Sequence, residues 1–248
     1  MQNATVFNLV FRSPAPGADP ELWERWIKWA REVYTPLFMK LPMSAGNDNY
    51  QIIRESPEYP SYGFFAHFPD NEAAEEYTKT QHAVDMRNEG LSWIKRGVVV
   101  DHFWASRYEL IKSFRSSFSA RNQETTTIDD APVMHMEAYS LTPEEEEQYG
   151  KWINDYGINV FFPLFIKLPG LKGYDCFKCL NRQGVNPSRE RNYPLYLSVV
   201  YFEDIKAFEN FEKSDEVVAC QKALINIFPL RPVYKWYVQY KLVQSFRK

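Results

Sequence analysis

The sequence predicts an α+β protein made of two copies of one β-α-β-β-α-β unit. Three observations carry this. Pro36-Leu-Phe-Met-Lys-Leu-Pro42 recurs as Pro163-Leu-Phe-Ile-Lys-Leu-Pro169, six of seven positions matching at an offset of 127. Tyr108-Glu-Leu-Ile-Lys-Ser-Phe-Arg115 is answered by Tyr240-Lys-Leu-Val-Gln-Ser-Phe-Arg247, and Trp104 by Trp236, at an offset of 132. Between these anchors, Phe68 and Asp70 answer Phe202 and Asp204 at an offset of 134. Anchors that keep their order while the offset drifts by a few residues mark an internal duplication with loop insertions.

Each copy yields the same elements in order. Ala4 to Phe11 alternates and is rich in β-formers, and Val133 to Tyr139 is its counterpart. Asp19-Pro20-Glu21 sets a cap and a first-turn proline ahead of Leu22, Trp23, Trp26, Ile27 and Ala30, apolar at helical spacing. Thr142-Pro143-Glu144-Glu145 is a capping box, and the acidic run Glu144 to Glu147 sits where the helix dipole favours it. Strand two is expected at Tyr50–Arg54 and Tyr174–Lys178, strand three at Tyr62–Phe68 and Leu195–Phe202. A second helix opens near Asp70 and Asp204, breaks at Thr80 and Ser214, and runs to about Trp93 and Ile227. Strand four is Val98–Tyr108 and Val233–Leu242. The order is that of the ferredoxin-like unit. The repeats are expected at 1–115 and 131–248, with the polar stretch 116–130 as linker. A four-stranded sheet with helices on one face leaves its other face bare, so the two sheets are expected to pack face to face.

Composition narrows the function classes. The 248 residues are 45% hydrophobic and 25% charged, the range of a globular protein. Against 32 acidic residues stand 29 basic ones, a balance that does not favour nucleic acid or an anionic membrane as partner. The longest strongly apolar stretch, Ile158–Ile166, is about half a membrane span. No Lys or Arg precedes Arg12 and no apolar segment there resembles a signal peptide. Three cysteines cannot all pair, so a reducing cytoplasm is the expected setting. Cys176-Phe-Lys-Cys179 is formally C-x-x-C, but residues three apart on a strand point to opposite faces, which favours structural cysteines over a metal or redox pair. No Walker loop, G-x-G-x-x-G, G-x-S-x-G or H-E-x-x-H is present.

Trp26 through Pro42, together with Gly173-Tyr174, resembles the first-helix signature of the dimeric α+β barrel superfamily: Trp-x-x-Trp, a later His-x-Pro, then Leu-x-x-Pro-Gly and an aromatic strand. Leu168-Pro169-Gly170 is the closer match at its end. Thr80-Gln81-His82-Ala83 is similar to the Ser-Pro-x-His-x-x-Ala turn of the second helix in these proteins. The resemblance implies a pseudo-dimeric α+β barrel in one chain. It implies little about chemistry, since relatives include cofactor-free monooxygenases, isomerases, polyketide cyclases, haem enzymes with two such units and proteins without known activity. The histidine of His-x-Pro is replaced by Tyr34 in one copy and Phe161 in the other, so its role does not carry over.

The candidate catalytic residues are His135, Glu137 and Tyr139, which alternation places on one face of the second copy's first strand. Aligned against them in copy one are Phe7, Leu9 and Phe11. On this alignment the first copy's face is filled, and any cavity in copy two is the larger or more polar of the pair. An imidazole, a carboxylate and a phenol in an apolar layer each cost a few kcal/mol unless partnered, so they either satisfy one another or line a pocket. In the second case His135 acts as base, Glu137 orients it and Tyr139 holds a substrate oxygen. Tyr34, His67, His102, Trp104 and Trp236 are the candidate substrate-binding positions, each with a plain reading as core packing. His82 reads as solvated on a charged helix surface. The function expected is binding of a small apolar or aromatic molecule, with or without cofactor-independent conversion of the monooxygenase, isomerase or cyclase type. Neither cofactor nor metal is expected, and self-association beyond the pseudo-dimer stays open. A non-catalytic interaction protein is the alternative, and a haem protein a third reading for which no motif is found.

Overall fold

The computed structural model describes residues 4–101, 106–115, 131–180, 194–227 and 233–248. The expected linker at 116–130, together with His102 and Trp104, lies outside the described residues, and so does the side chain of Trp236. The described chain forms two units, and it passes from one to the other inside its fifth strand and again inside its ninth.

In the first unit, β2 (Gly46–Ile52), β3 (Tyr62–Phe68) and β1 (Val6–Pro14) lie side by side and antiparallel. β1 also pairs with β4 (Val99–Asp101) and with the start of β5 (Ser106–Arg115). The second unit repeats this with β7 (Leu171–Cys179), β8 (Tyr196–Phe202), β6 (Val133–Ser140) and β9 (Val233–Arg247). Each unit's helices follow β-α-β-β-α-β order: α1 (Pro20–Trp29), α2 (Thr35–Met39), α3 (Asn71–Lys79) and α4 (Gln81–Lys95), then α5 (Pro143–Trp152), α6 (Phe162–Phe165), α7 (Ile205–Lys213) and α8 (Asp215–Ile227). The α+β class and the ferredoxin-like element order are those expected.

Local chemistry accounts for the helix ends. The Asp70 and Asp204 carboxylates accept from the backbone N–H of Ala73 and Ala207 at 2.8 Å, filling donors that the first turn leaves bare. Thr80 and Ser214 stop one helix and cap the next: the Thr80 hydroxyl donates to the Tyr77 carbonyl and accepts from Ala83, and the Ser214 hydroxyl accepts from Val217. Thr142 and Glu145 complete the capping box. Between α1 and α2, Ala30–Tyr34 winds as a π-helix, as does Ile153–Phe161 ahead of α6. Pro36 and Pro163 lack an N–H and crowd the carbonyl four residues back, so the preceding turn opens. In the first copy the Thr35 hydroxyl donates to the Ala30 carbonyl across that wide turn.

Strand two begins earlier than its β-forming residues indicate, because tertiary contacts hold Asn47-Asp48-Asn49 extended. All three are buried. Asn49 Nδ2 donates to Asn47 Oδ1 at 3.0 Å and to Gln244 Oε1 at 3.3 Å. The last strand of each copy runs on to Arg115 and Arg247, past the expected ends at Tyr108 and Leu242.

Register corrects one alignment. Val6 pairs with Phe68 and Val133 with Phe202, and these two phenylalanines are equivalents, so Val6 answers Val133. Hence Asn8, Val10 and Arg12, not Phe7, Leu9 and Phe11, are the counterparts of His135, Glu137 and Tyr139. A slip of one residue moves every side chain to the other face. Phe7 stacks on Phe65 and Tyr108, and Phe11 meets Phe65 edge-on. Phe11 also covers Gly63, where a Cβ would lie 2.5 Å from its ring. On the helix side, Val6 packs with Phe38, Phe68, Ala74 and Tyr77, while Val10 lies against the cluster of Trp26, Phe64 and Trp93.

Asp48 holds this unit's C-terminal strand end. Its Oδ1 accepts from Arg247 Nη2 at 2.6 Å, and Oδ2 lies 2.8 Å from His67 Nε2. Burial alone would raise the carboxyl's pKa, but Arg247 and His67 overcome it and hold the value below the ordinary one. A carboxyl whose folded pKa lies below its unfolded value of about 3.9 contributes stability that is complete above that value and vanishes as pH falls through the folded pKa. Asp48→Asn is therefore expected to cost about 3 kcal/mol at pH 7, with the gap to wild type closing in strong acid. Urea unfolding at the two pH values reads this directly.

Candidate functional site

A cavity of about 270 Å³ lies in the first unit, between the helix-facing side of its sheet and helices α1, α3 and α4. Its floor is β1 and β3. Asn8, Val10 and Arg12 come from alternate positions of β1, and Phe64 and Ala66 from β3. Trp26 and Trp29 enter one turn apart from α1, and Tyr34 follows from the π-helical turn. Tyr77 closes one side, with Ala83, Gly90 and Leu91 along α4. Leu91 and Arg87 are exposed and stand at the rim. The walls are thus mostly apolar, with five aromatic side chains and a few convergent polar groups, the usual make-up of a small-molecule site.

The polar groups are ordered. Arg107 reaches the cavity from β5: its Nε donates to Asn8 Oδ1 at 3.1 Å, Nη1 to Asn71 Oδ1 at 2.9 Å, and Nη2 to the Ala74 carbonyl at 3.1 Å. Tyr34 and Tyr77 face each other, hydroxyl to hydroxyl, at 3.4 Å. Burial raises the pKa of both, most strongly for Tyr34, where Tyr77 adds to it. Both phenols are therefore hydrogen-bond donors at neutral pH. His82 lies against both rings, centroids 6.2 Å from each. Its Nε2 is buried without a hydrogen-bond partner, and burial, only partly opposed by Asp85, lowers its pKa. His82 is consequently a neutral imidazole beside the two phenols, where the sequence reading expected a solvated surface group. The break at Thr80 turns α4 so that His82 meets Tyr77, and no local pattern displays that.

The other candidates fall elsewhere. Tyr34 lines the cavity. His67 is instead the buried partner of Asp48, on the opposite face of β3 from Phe64 and Ala66. In the second unit His135 Nε2 lies 3.2 Å from Glu137 Oε1, and Nδ1 lies 3.0 Å from Gln239 Nε2. Phe208 stacks on the imidazole at 5.2 Å and Tyr237 meets it edge-on at 4.2 Å. The Tyr139 hydroxyl is bonded to Tyr149 at 2.6 Å and its ring stacks on Tyr196. Burial drives its pKa far up. The structure brings His135 and Glu137 together and turns Tyr139 to another aromatic group. The alignment behind the expected asymmetry also changes: the face expected to be filled in copy one is its core face, and the helix-facing side at Asn8, Val10 and Arg12 borders the cavity. Cys176 and Cys179 are both buried and outside any disulfide, as a structural role requires.

No family model matches the chain, and no curated protein matches it in sequence. Solved structures do. An anthrone oxidase-like protein superposes with a TM-score of 0.62 at 12% identity, covering 100% of this chain and 94% of its own. A candidate monooxygenase from Fusobacterium nucleatum gives 0.60 at 12% identity, covering 99% and 95%. A candidate chlorite dismutase gives 0.57 at 10% identity, covering 98% and 96%. The chain has the dimeric α+β barrel fold. Its two ferredoxin-like units stand in one polypeptide, and at these identities the likeness speaks to fold alone.

Haem, which some proteins of this fold carry, does not fit His135. An axial ligand needs an available ring nitrogen, and both of this imidazole's nitrogens face Glu137 and Gln239. Among the described residues no group of three or more His, Cys, Asp or Glu could hold a metal ion, and no helix is long and apolar enough to cross a membrane.

Because His67 belongs to a buried ion pair away from the cavity, His67→Ala is expected to lose about 3 kcal/mol of stability with ligand binding intact in the folded fraction. Urea unfolding beside a fluorescence titration with a cavity ligand checks both halves.

Proposed function

We propose that the protein binds a flat, largely apolar aromatic molecule in the first unit's cavity and converts it without a cofactor. The observation that carries this is the cavity itself, walled by Trp26, Trp29, Tyr34, Phe64 and Tyr77 and supplied with a few fixed polar groups. Aromatic walls recognise ring faces through dispersion and offset stacking, and a space of about 270 Å³ holds two or three fused rings. The likeness in fold to an anthrone oxidase-like protein is consistent with such a ligand.

Cofactor-independent conversion of such molecules can begin with removal of a proton from a carbon made acidic by conjugation to an aryl carbonyl. His82 is the group for it: neutral, with an unpartnered Nε2. Tyr34 and Tyr77 donate to the oxygen that becomes an enolate, a charge that preorganised donors stabilise in a dry site. With a substrate such as anthrone, the enolate, dioxygen and the proton returned from His82 give anthraquinone and water. Protonation of His82 would remove the base, so turnover falls as pH drops below the ordinary imidazole value of about 6.5.

The 3.2 Å contact between His135 and Glu137 favours a second reading, an acid–base pair in the second unit. Parallel His82→Ala and His135→Ala variants separate the two, since only the variant at the working base abolishes oxygen uptake with anthrone while keeping the fold. Uptake by neither wild type nor variants, with aromatic binding retained, makes the protein a binder.

Gly90 offers a clean test of the cavity. A Cβ there meets no atom within 4 Å, and replacing a mid-helix glycine favours the helix by up to about 1 kcal/mol. Gly90→Leu is expected to keep or raise the melting temperature and to weaken binding of 2-naphthamide or 2-naphthoate at least tenfold. Titration followed by tryptophan fluorescence measures this, and unchanged affinity for both probes would remove the cavity as the site.

A further inference from the structure

The cavity's charge is one-sided, and the second copy shows that duplication did not require it. Three arginines, Arg12, Arg87 and Arg107, line the cavity, and no Asp or Glu is among the described residues that do so. At the equivalent positions of the second copy stand Tyr139, Gln221 and Gln239, and Glu137 occupies the place of Val10. Copy one therefore carries three cations where copy two carries none, on the same backbone. The bland reading of Arg107 is a structural clamp, and its bonds to Asn8, Asn71 and the Ala74 carbonyl do hold β1, β5 and α3 together. All three acceptors are neutral, however. Gln239, at the same position in copy two, gives a neutral side chain the corresponding contact to His135, so that position does not need a cation to tie its strands. A carboxylate near Arg107, that of Glu75, lies 3.8 Å away and is largely exposed. A guanidinium half removed from water and held by neutral groups leaves positive charge that an anion inside the cavity would offset.

We infer that the ligand is an aromatic acid, bound as its carboxylate with the rings between Trp26, Trp29 and Phe64 and the anionic end toward Arg12 and Arg107. This rests on the aromatic-ligand reading above and names its substrate class. Arg87, exposed at the rim on α4, draws the anion in. Burial lowers the pKa of Arg107, an effect that Glu75 only partly reverses, and a bound carboxylate would raise it again.

Two probes with the same rings test it: 2-naphthoate, an anion at pH 7, and 2-naphthamide, its neutral analogue of nearly equal shape. Tryptophan fluorescence titration of the full chain is expected to show naphthoate binding at least tenfold tighter, with the advantage shrinking as salt rises. Arg107→Gln, the residue copy two carries, is expected to erase the preference, bringing the two affinities to within about twofold of each other. Should Arg107→Gln fail to fold, Arg12→Gln and Arg87→Gln together are expected to reduce the preference at least fivefold. Equal affinity of wild type for the two probes, or an advantage for naphthoate untouched by the arginine variants, overturns the acid assignment and leaves the aromatic-binding reading standing. Binding of neither probe, with Gly90→Leu indistinguishable from wild type, overturns both.

Discussion

A strand shows its side chains to two faces in strict alternation, and the first strand of each copy spends both. One face of β1 is aromatic core, Phe7 and Phe11 against Phe65 and Tyr108. The other looks at the helices through Val6, Asn8, Val10 and Arg12, and the cavity borders the last three of these. The helix-facing residues thus had freedom that the core-facing ones lacked. Removing Phe7 would leave a core void, a change typically worth several kcal/mol. At position 8 the chain accepts an asparagine and at its equivalent a histidine, because each finds a partner: Arg107 for one, Gln239 and Glu137 for the other.

The same constraint explains what could be read from the sequence alone. The duplication was legible because Pro36–Pro42 and Tyr108–Arg115 recur nearly letter for letter. Helix starts at Asp19, Asp70, Thr142 and Asp204 were legible because a capping side chain acts within three residues of itself. The break at Thr80 and Ser214 was legible for the same reason. Pairing β1 with β6 one residue out of step was not avoidable from composition, since Phe7, Leu9 and Phe11 and His135, Glu137 and Tyr139 both satisfy a period of two. Only the partners in β3 and β8 decide which set faces the helices. Strand two was short for a related reason: Asn47, Asp48 and Asn49 are poor β-formers held by Gln244, Arg247 and His67, far along the chain or across the sheet. Of the residues near the cavity, Tyr34 was legible as a candidate, in the place of the family's His-x-Pro histidine, although that motif assigns it no role. His82 and Arg107 were not, because each acquires its setting through contacts more than forty residues away in sequence, or across a helix break.

The two copies have diverged most where they were least constrained. Trp29 and Trp152 hold the same place on the first helix of each unit, and the capping aspartates Asp70 and Asp204 are the same in both. Around the helix-facing side, Ala74 becomes Phe208, which stacks on His135. Tyr77 becomes Phe211 and Tyr34 becomes Phe161, so the pair of phenols that meets in copy one has no hydroxyl in copy two. Trp26 becomes Tyr149, whose hydroxyl closes on Tyr139. Each change swaps a group that could address a ligand for one that addresses a neighbour. Aromatic area then fills what polar groups bordered, and a buried phenol pair 2.6 Å apart satisfies its own hydrogen bonds.

Divergence of that kind has a directional consequence. A unit whose polar groups are mutually satisfied gains stability from them, whereas one whose groups face a cavity leaves desolvated donors and acceptors that only a ligand completes. Arg107, which lines the cavity and has neutral acceptors, belongs to the second kind. His135, engaged at both nitrogens and sandwiched between Phe208 and Tyr237, belongs to the first. On the proposed function, stability and recognition are divided between the copies. The second unit's aromatic cluster supplies packing, and the first unit keeps charge and donors aimed at a space that the fold leaves between sheet and helices.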